Sequence, residues 1–511
     1  MESLGAACGS RGLAVTAGRA VRCHWVFAIL LSAGLALRVL TQIAYRPALV
    51  YIDSVRYLTG SDGMDPLGYR ALLWPLQRAG GLAAVAAAQH ILGLAMAVAI
   101  YALLRRRRMW RWAAAAAAAP VLLDGYQLQA EQTIMPDVLF EALIVAGLVV
   151  LLWRREQAAW LVCLAGLLLG AAVDVRQVGG ALIVPVLAFV LVCGARWRRR
   201  LAHGALITAS FAVPVLAYMS AQYAANGHFM MTVRGTYVLY GRAATAADCA
   251  TLRLPADERA LCPSPQVVAT LGIDGINGAP QGPLLSYRPP VGTTTQAVAA
   301  RFEWAVITQQ PMAVWSAVDR DFVKLFALTR GQSPGDLPIS RWQFQTTYPT
   351  YPPLVTVRSV AQIRPGGGSP VVVQPLAAVL RGYQLHGGYT PGPLLAVAAI
   401  GGLAGICALS GSRREHASPA SACLLVTTMA VAVLLASDAY EFSWRYQLPA
   451  YVLLPAAGVL GFAAITARVR IELATWRGTR PAGQAHGPAP ALADAPNARS
   501  CHSIEAVDSV C

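Results

Sequence analysis

The sequence predicts an all-α polytopic membrane protein, with about ten transmembrane helices and a mixed extracytoplasmic region between spans seven and eight. Three observations carry that expectation. The 511 residues are 56% hydrophobic and only 13% charged, with a mean hydropathy of +0.50, whereas charged residues make up about a quarter of a soluble domain. Apolar runs recur along the chain. Arginines cluster at every second boundary between those runs, as determinants of membrane topology do.

Taken in order, the apolar segments are 25–44, 81–104, 112–123, 138–153, 160–173, 178–192, 205–223, 391–409, 420–436 and 449–467. The first follows Arg11, Arg19 and Arg22 and is too long for the core of a signal peptide, so it reads as a retained span. Several others fall short of the roughly 20 residues that cross a bilayer. The one after Trp112 is the shortest and must tilt or borrow its flanks, which brackets the count between about nine and eleven. The arginine clusters at 105–108, 154–155, 196–200 and 413–414 are expected on the cytoplasmic side. Ten spans then place both termini in the cytoplasm of a multi-pass cell-membrane protein. The loops 45–80, 124–137, 174–177 and 437–448, and the long stretch 224–390, fall outside.

The formal net charge of +16 is a topology signal rather than a nucleic-acid footprint, because the basic residues flank apolar segments. Lys324 is the only lysine. That bias, with the abundance of Ala, Gly and Pro, reads as a GC-rich, bacterial source. Of ten cysteines, Cys163, Cys193, Cys407 and Cys423 lie in apolar segments as small packing residues. Cys249 and Cys262 lie in the long outer stretch, where disulfides persist, and are expected to pair. The eight histidines are scattered and form no metal constellation. His90, inside the second span, is expected to be hydrogen-bonded within the bundle.

The chain thus divides into a cytoplasmic N-terminus (1–24), a transmembrane module with catalytic outer loops (25–223), an extracytoplasmic region (224–390), C-terminal transmembrane helices (391–467) and a cytoplasmic tail (468–511). The extracytoplasmic region carries Trp304, Trp315, Trp342 and many tyrosines, which is not the composition of a disordered linker. Residues 301–328 have the spacing of a helix lying on the membrane surface. Arg364-Pro-Gly-Gly-Gly reads as a turn. The Ala-, Pro- and Gly-rich tail after Arg480 reads as disordered.

Ionisable residues at a membrane boundary are costly, and here they concentrate at one side. The first outer loop reads YIDSVRYLTGSDGMDPLGYRALLWPLQ, with Asp53 just beyond the first span and Tyr57 one helical turn later. The second carries Asp124, Glu131 and Asp137, the third Asp174 and Arg176, and the last Asp438, Glu441 and Arg445. A carboxylate near a hydroxyl can act as general base. Arginines offer permanent, planar donors suited to phosphate oxygens, and an apolar groove beside them can hold a lipid chain. This combination suits transfer of a group from a lipid-linked phosphate to an acceptor hydroxyl.

The motifs YIDSVRY, DPLGYRALLWPL, AEQTIMPDVLFEALIV, AVDVRQVGGALIVP and RYQLPAYVLLP together resemble the membrane-embedded GT-C glycosyltransferases, which use polyprenyl-phosphate-linked sugars. The resemblance implies an enzyme, a hexosyl- or pentosyltransferase, that inverts the sugar carbon, with Asp53 as the base activating the acceptor. It implies that Glu131 and Asp137 line the site, and that Arg176 and Arg445, the latter with Tyr446, face the lipid phosphate. Tyr57, Tyr69 and Arg70 of the first loop join them as substrate-binding positions, although both tyrosines also suit an interfacial aromatic belt. Ser54 follows Asp53 where many members carry a second acid, which points to a branch distant from the protein mannosyltransferases. No cofactor is required by the sequence, although Asp53 with neighbouring carboxylates leaves room for a divalent cation. The partners implied are a polyprenyl-phosphate-linked sugar, an envelope glycan, lipid or protein as acceptor, and membrane lipids, with no nucleic acid.

Two other classes compete. A transporter or lipid flippase calls for polar residues at the bilayer midplane and repeated halves. A non-enzymatic membrane scaffold predicts a dispensable Asp53. On the blander reading, Asp53 is an N-cap, Asp137 caps the fourth span and Arg176 snorkels to headgroups.

Overall fold

A computed structural model describes residues 23–60, 65–154, 156–193, 196–232, 236–353, 355–363, 369–409 and 418–478. The arginines before residue 23, the pair Arg413–Arg414, the Arg364 turn and the tail after Arg480 lie outside the described residues. The chain divides into two units, one of its two ends (Met1–Ile29 with Thr466–Cys511) and one of Leu30–Ile465. The second contains every contact discussed below.

The apolar segments fold as helices close to where periodicity puts them. These are α1 (Trp25–Ala44), α3 (Arg70–Arg106), α4 (Arg111–Leu123), α6 (Asp137–Leu152), α7 (Ala159–Val175), α8 (Ile183–Val192, entered through a 3-10 turn Gln177–Leu182) and α9 (Trp197–Asn226), then α15 (Gly392–Cys407), α16 (Pro419–Tyr440) and α17 (Leu448–Gly478). By length and composition, five can cross a membrane unaided: α1, α3, α9, α16 and the stretch Trp444–Leu473. The others are shorter apolar helices. The helix α3 takes in a stretch of the first loop before its apolar run and is kinked where the two meet, at Gly80 and Gly81, with Gly81 at φ +68°, a left-handed value open to glycine. Two short helices lie between the spans, α2 (Ile52–Thr59) and α5 (Gly125–Gln132).

The 224–390 region is mainly helical, with the one short strand described below. It contains α10 (Thr236–Ala246), α11 (Pro265–Gly278), α12 (Thr295–Gln309), α13 (Pro311–Lys324) and α14 (Gln374–Leu385). The stretch 301–328 is not one surface helix. Pro311, which cannot donate a helical hydrogen bond, starts a second helix after Gln310. This region has its own core, in which Tyr240, Leu261, Ile276, Val298, Phe302 and Val306 are buried together. A disulfide joins Cys249 to Cys262 beside it.

Three connections fix where the loops stand. A two-stranded antiparallel ladder pairs β1 (Tyr45–Arg46), at the end of α1, with β2 (Val371–Val372). The backbone of Leu49 exchanges hydrogen bonds with Gln132 (2.9 Å) and Ile134 (3.0 Å), which lays the first loop along the second. Gly68 of the DPLGYR motif donates to the carbonyl of Asp174 at 2.9 Å. Its Cα lies so close to Asp174 that a Cβ would collide with that backbone, which accounts for glycine there.

Beneath these loops, Glu131 is fully enclosed and 0% exposed. It accepts a hydrogen bond from Arg38 (2.7 Å) and pairs with His90 Nδ1 (2.9 Å), while His90 Nε2 meets Gln132 (2.8 Å). Arg38 also donates to the carbonyls of Gly34, Val121 and Leu122, so α1, α3, α4 and α5 meet at one ion pair. Removing one partner of such a pair strands the other charge, at a cost of about 3–5 kcal/mol. Arg38→Met is therefore expected to lower the thermal unfolding temperature in detergent sharply. An unchanged temperature would contradict a structural role for Glu131.

Candidate active site

The first loop enters the site at the start of α2. Ser54 Oγ accepts from the backbone N–H of Tyr51 at 2.8 Å and fixes the first turn. Asp53, in that turn, does not cap the helix. Its Oδ2 accepts from Arg445 at 2.7 Å, and Oδ1 pairs with Arg56 one turn later. Arg445 reaches it from a 3-10 turn, Trp444–Gln447, between α16 and α17. The Gln447 amide donates to Asp438 at 2.7 Å and closes that loop.

Arg445 is 9% exposed and is held by several neighbours. Its Nη2 donates to Tyr446 Oη at 2.9 Å, and its Nε lies 3.8 Å from Asp137 Oδ1. Its guanidinium lies over the rings of Tyr446 (4.6 Å) and Trp342 (5.0 Å). Asp137, the first residue of α6, makes no cap either and pairs with Arg176. Arg176 in turn stacks on Tyr446 at 4.6 Å. The result is a chain of alternating charge, Arg56–Asp53–Arg445–Asp137–Arg176, drawn from four loops.

This chain borders an open cavity lined by Asp53, Tyr57, Asp65, Arg176, Arg445 and Tyr446, and also by Gln177, Val178, Ser437 and Tyr440. Val175, Val178, Pro66 and Met135 make part of its wall apolar. Burial pushes the Asp53 carboxyl toward its neutral form, but the guanidiniums of Arg445 and Arg56 outweigh burial and hold it below the usual carboxylate range.

The residues expected from the sequence divide into two groups. Asp53, Tyr57, Arg176, Arg445 and Tyr446 line the cavity, and Asp137 stands behind it. Glu131, Tyr69 and Arg70 do not line it. Glu131 is spent on Arg38 and His90. Tyr69 is buried with its hydroxyl donating to Gln89 at 2.6 Å, and its ring meets Tyr57 edge-on. Arg70 donates to the carbonyls of Tyr57 (3.0 Å) and Arg56 (2.9 Å) and so holds α2 in place.

Sequence reading passed over Asp65, which lies 3.4 Å from Arg56, although it opens the quoted DPLGYR motif. It also passed over Asp274 of α11, whose carboxyl interacts electrostatically with that of Glu441. Burial raises the Glu441 carboxyl, and the neighbouring Asp274 carboxyl raises it further. Nothing in the local sequence marks Asp274, because only the fold of the 224–390 region carries it there. Among the described residues no three His, Cys, Asp or Glu side chains are grouped as metal ligands.

Acidification through the ordinary carboxylate range should leave Asp53 ionised. The infrared band of its protonated carboxyl, assigned by difference from Asp53→Asn, should appear only below that range. Appearance at or above it would contradict the two-arginine environment.

Residues 81–230 match the sequence model of the dolichyl-phosphate-mannose-protein mannosyltransferase family. Among solved structures, the archaeal oligosaccharyltransferase AglB from Archaeoglobus fulgidus, in complex with an inhibitory peptide and a dolichol-phosphate, is similar at 13% identity and a TM-score of 0.39, over 91% of this chain and 53% of that one. ArnT from Cupriavidus metallidurans, bound to undecaprenyl phosphate, is similar at 15% identity and a TM-score of 0.33, over 86% of this chain and 77% of that one. The chain thus spans about half the length of the oligosaccharyltransferase. No curated protein matches it. The family match runs from the kink of α3 through α9, so that this stretch of the membrane module has the sequence pattern of the dolichyl-phosphate-mannose-protein mannosyltransferases, a GT-C glycosyltransferase family.

Proposed function

We propose that this chain is an integral membrane glycosyltransferase that moves a hexosyl or pentosyl group from a polyprenyl-phosphate carrier to a hydroxyl of an extracytoplasmic glycan, lipid or protein, with inversion. The observation that carries the proposal is the placement of Asp53 and two arginines on one open, partly apolar cavity, in a chain that matches a family named for dolichyl-phosphate-mannose.

In this reaction the acceptor oxygen bonds to the anomeric carbon from the face opposite the phosphate, and its proton passes to Asp53. The bond from that carbon to the phosphate oxygen breaks, and its electron pair leaves with the lipid phosphate. Arg445 and Arg176 balance the charge that develops there. Their present partners, Asp53 and Asp137, are carboxylates of like charge to the phosphate. A phosphate that takes over Arg445 both frees Asp53 and sets a negative charge beside it. Each change raises the proton affinity of Asp53, so the base becomes competent once the donor is in place.

The test is transfer from radiolabelled polyprenyl-phosphate sugars, by purified protein in lipid, to a membrane extract. Asp53→Asn should reduce transfer by about a hundredfold or more, the usual scale for a general base. Equal transfer by the variant would remove Asp53 from that role. Arg56→Gln tests the electrostatics separately. Transfer is lost as pH falls through the base's pKa. Loss of one neighbouring cation raises that pKa, so the acid limb of the pH profile should move to higher pH. An unmoved limb would show that Asp53 is not the group it reports.

A further inference from the structure

Arg330 lies in the 224–390 region, outside every motif discussed above, and its side chain is 6% exposed. Its Nη2 donates to Asp124 Oδ2 at 2.8 Å. Four rings surround the guanidinium: Tyr126 (3.9 Å), Tyr451 (5.1 Å), Tyr389 (5.4 Å) and Trp444 (5.4 Å). Its Nη1 is buried and has no hydrogen-bond partner among the described residues. A flat guanidinium can stack on these rings while its forked N–H groups keep the bond to Asp124; a lysine ammonium keeps a cation–π attraction but has no face to stack.

The box joins parts that are otherwise remote. Asp124 starts α5 by accepting from Tyr126 N (2.9 Å), and it also accepts from Thr390 N (2.7 Å), just before α15. Trp444 is held twice, by the Arg330 stack and by its indole N–H, which donates to Gly331 O at 2.9 Å. The next residue is Arg445. Tyr126 and Trp444 also line a second, small pocket together with Asp137 and Arg445. The aromatic box therefore sets one side of the turn that presents Arg445 to Asp53.

We infer that Arg330 is a positioning residue. By clamping Trp444 inside the aromatic box, it fixes the 443–447 turn and with it the guanidinium of Arg445 in the substrate cavity. Its link to catalysis rests on the proposed transferase reading, but the clamp itself is a statement about the turn and can be read without turnover.

Ser443 is 2% exposed and directly precedes Trp444. The full-length protein carrying Ser443→Cys, in lipid, is treated with a membrane-impermeant maleimide, and modification of that residue is followed by peptide mass spectrometry. With Arg330 present the thiol should be protected. Adding Arg330→Met should speed modification at least tenfold, and Arg330→Lys, which keeps the charge opposite Asp124 but not the stack, should fall between. If the methionine variant does not fold, the lysine variant carries the test. In proteins without the cysteine, Arg330→Lys should also weaken binding of polyprenyl phosphate without its sugar and move the acid limb of transfer upward, as Asp53 loses its Arg445 partner. A merely stabilising role would lower the unfolding temperature and leave labelling, binding and the pH limb where they were, which would overturn the inference. Absence of transfer by the wild type would bring down the proposed reaction and leave the labelling result standing.

Discussion

One guanidinium organises the site. Arg445 pairs with Asp53 of the first loop and approaches Asp137 of the second, and it stacks on Trp342 of the 224–390 region. A charge so enclosed is tolerable only when its partners are in place, because an unpaired buried ion costs several kcal/mol. The loops therefore have to come together around it. The backbone bonds of Leu49 with Gln132 and Ile134 join the first two loops, the contact of Gly68 with Asp174 adds the third, and the Arg330 box holds the turn that carries Arg445.

The same enclosure bears on function. A carboxylate held by two guanidiniums is a poor base, and two arginines already paired with carboxylates are only partly available to a phosphate. Under the proposed reaction these are the properties of a site at rest. The donor's phosphate competes for the arginines, and success in that competition prepares the base. A resting site of this kind would protect the donor from water, since Asp53 has little affinity for a proton until the lipid phosphate has displaced it from Arg445.

The bundle was legible in the sequence because a span must be apolar over its full length, and the ten apolar runs recur as helices, although α3 and α9 begin well before, and α17 ends well after, the expected bounds. The cavity was legible in part. Asp53, Arg176 and Arg445 stand at the ends of spans, where a charge has few reasons to persist. Glu131 looked the same in sequence, yet it points into the bundle toward Arg38, because a helical turn separates it from the loop end and no spacing rule gives the direction of a short helix such as α5. Tyr69 and Arg70, expected as substrate-binding positions, bond Gln89 of α3 and the Tyr57 carbonyl of α2. The 224–390 region was the least legible. Its helices are short and its polar residues carry no period, so neither Asp274 nor Arg330 could be placed before their tertiary partners were known.

The most direct test is an experimental structure of the protein in a lipid nanodisc with polyprenyl phosphate bound. The account predicts the phosphate between Arg445 and Arg176, with the carboxylate of Asp53 released from Arg445 and turned toward the open cavity. A phosphate bound elsewhere, with the Asp53–Arg445 and Asp137–Arg176 pairs intact, would contradict it.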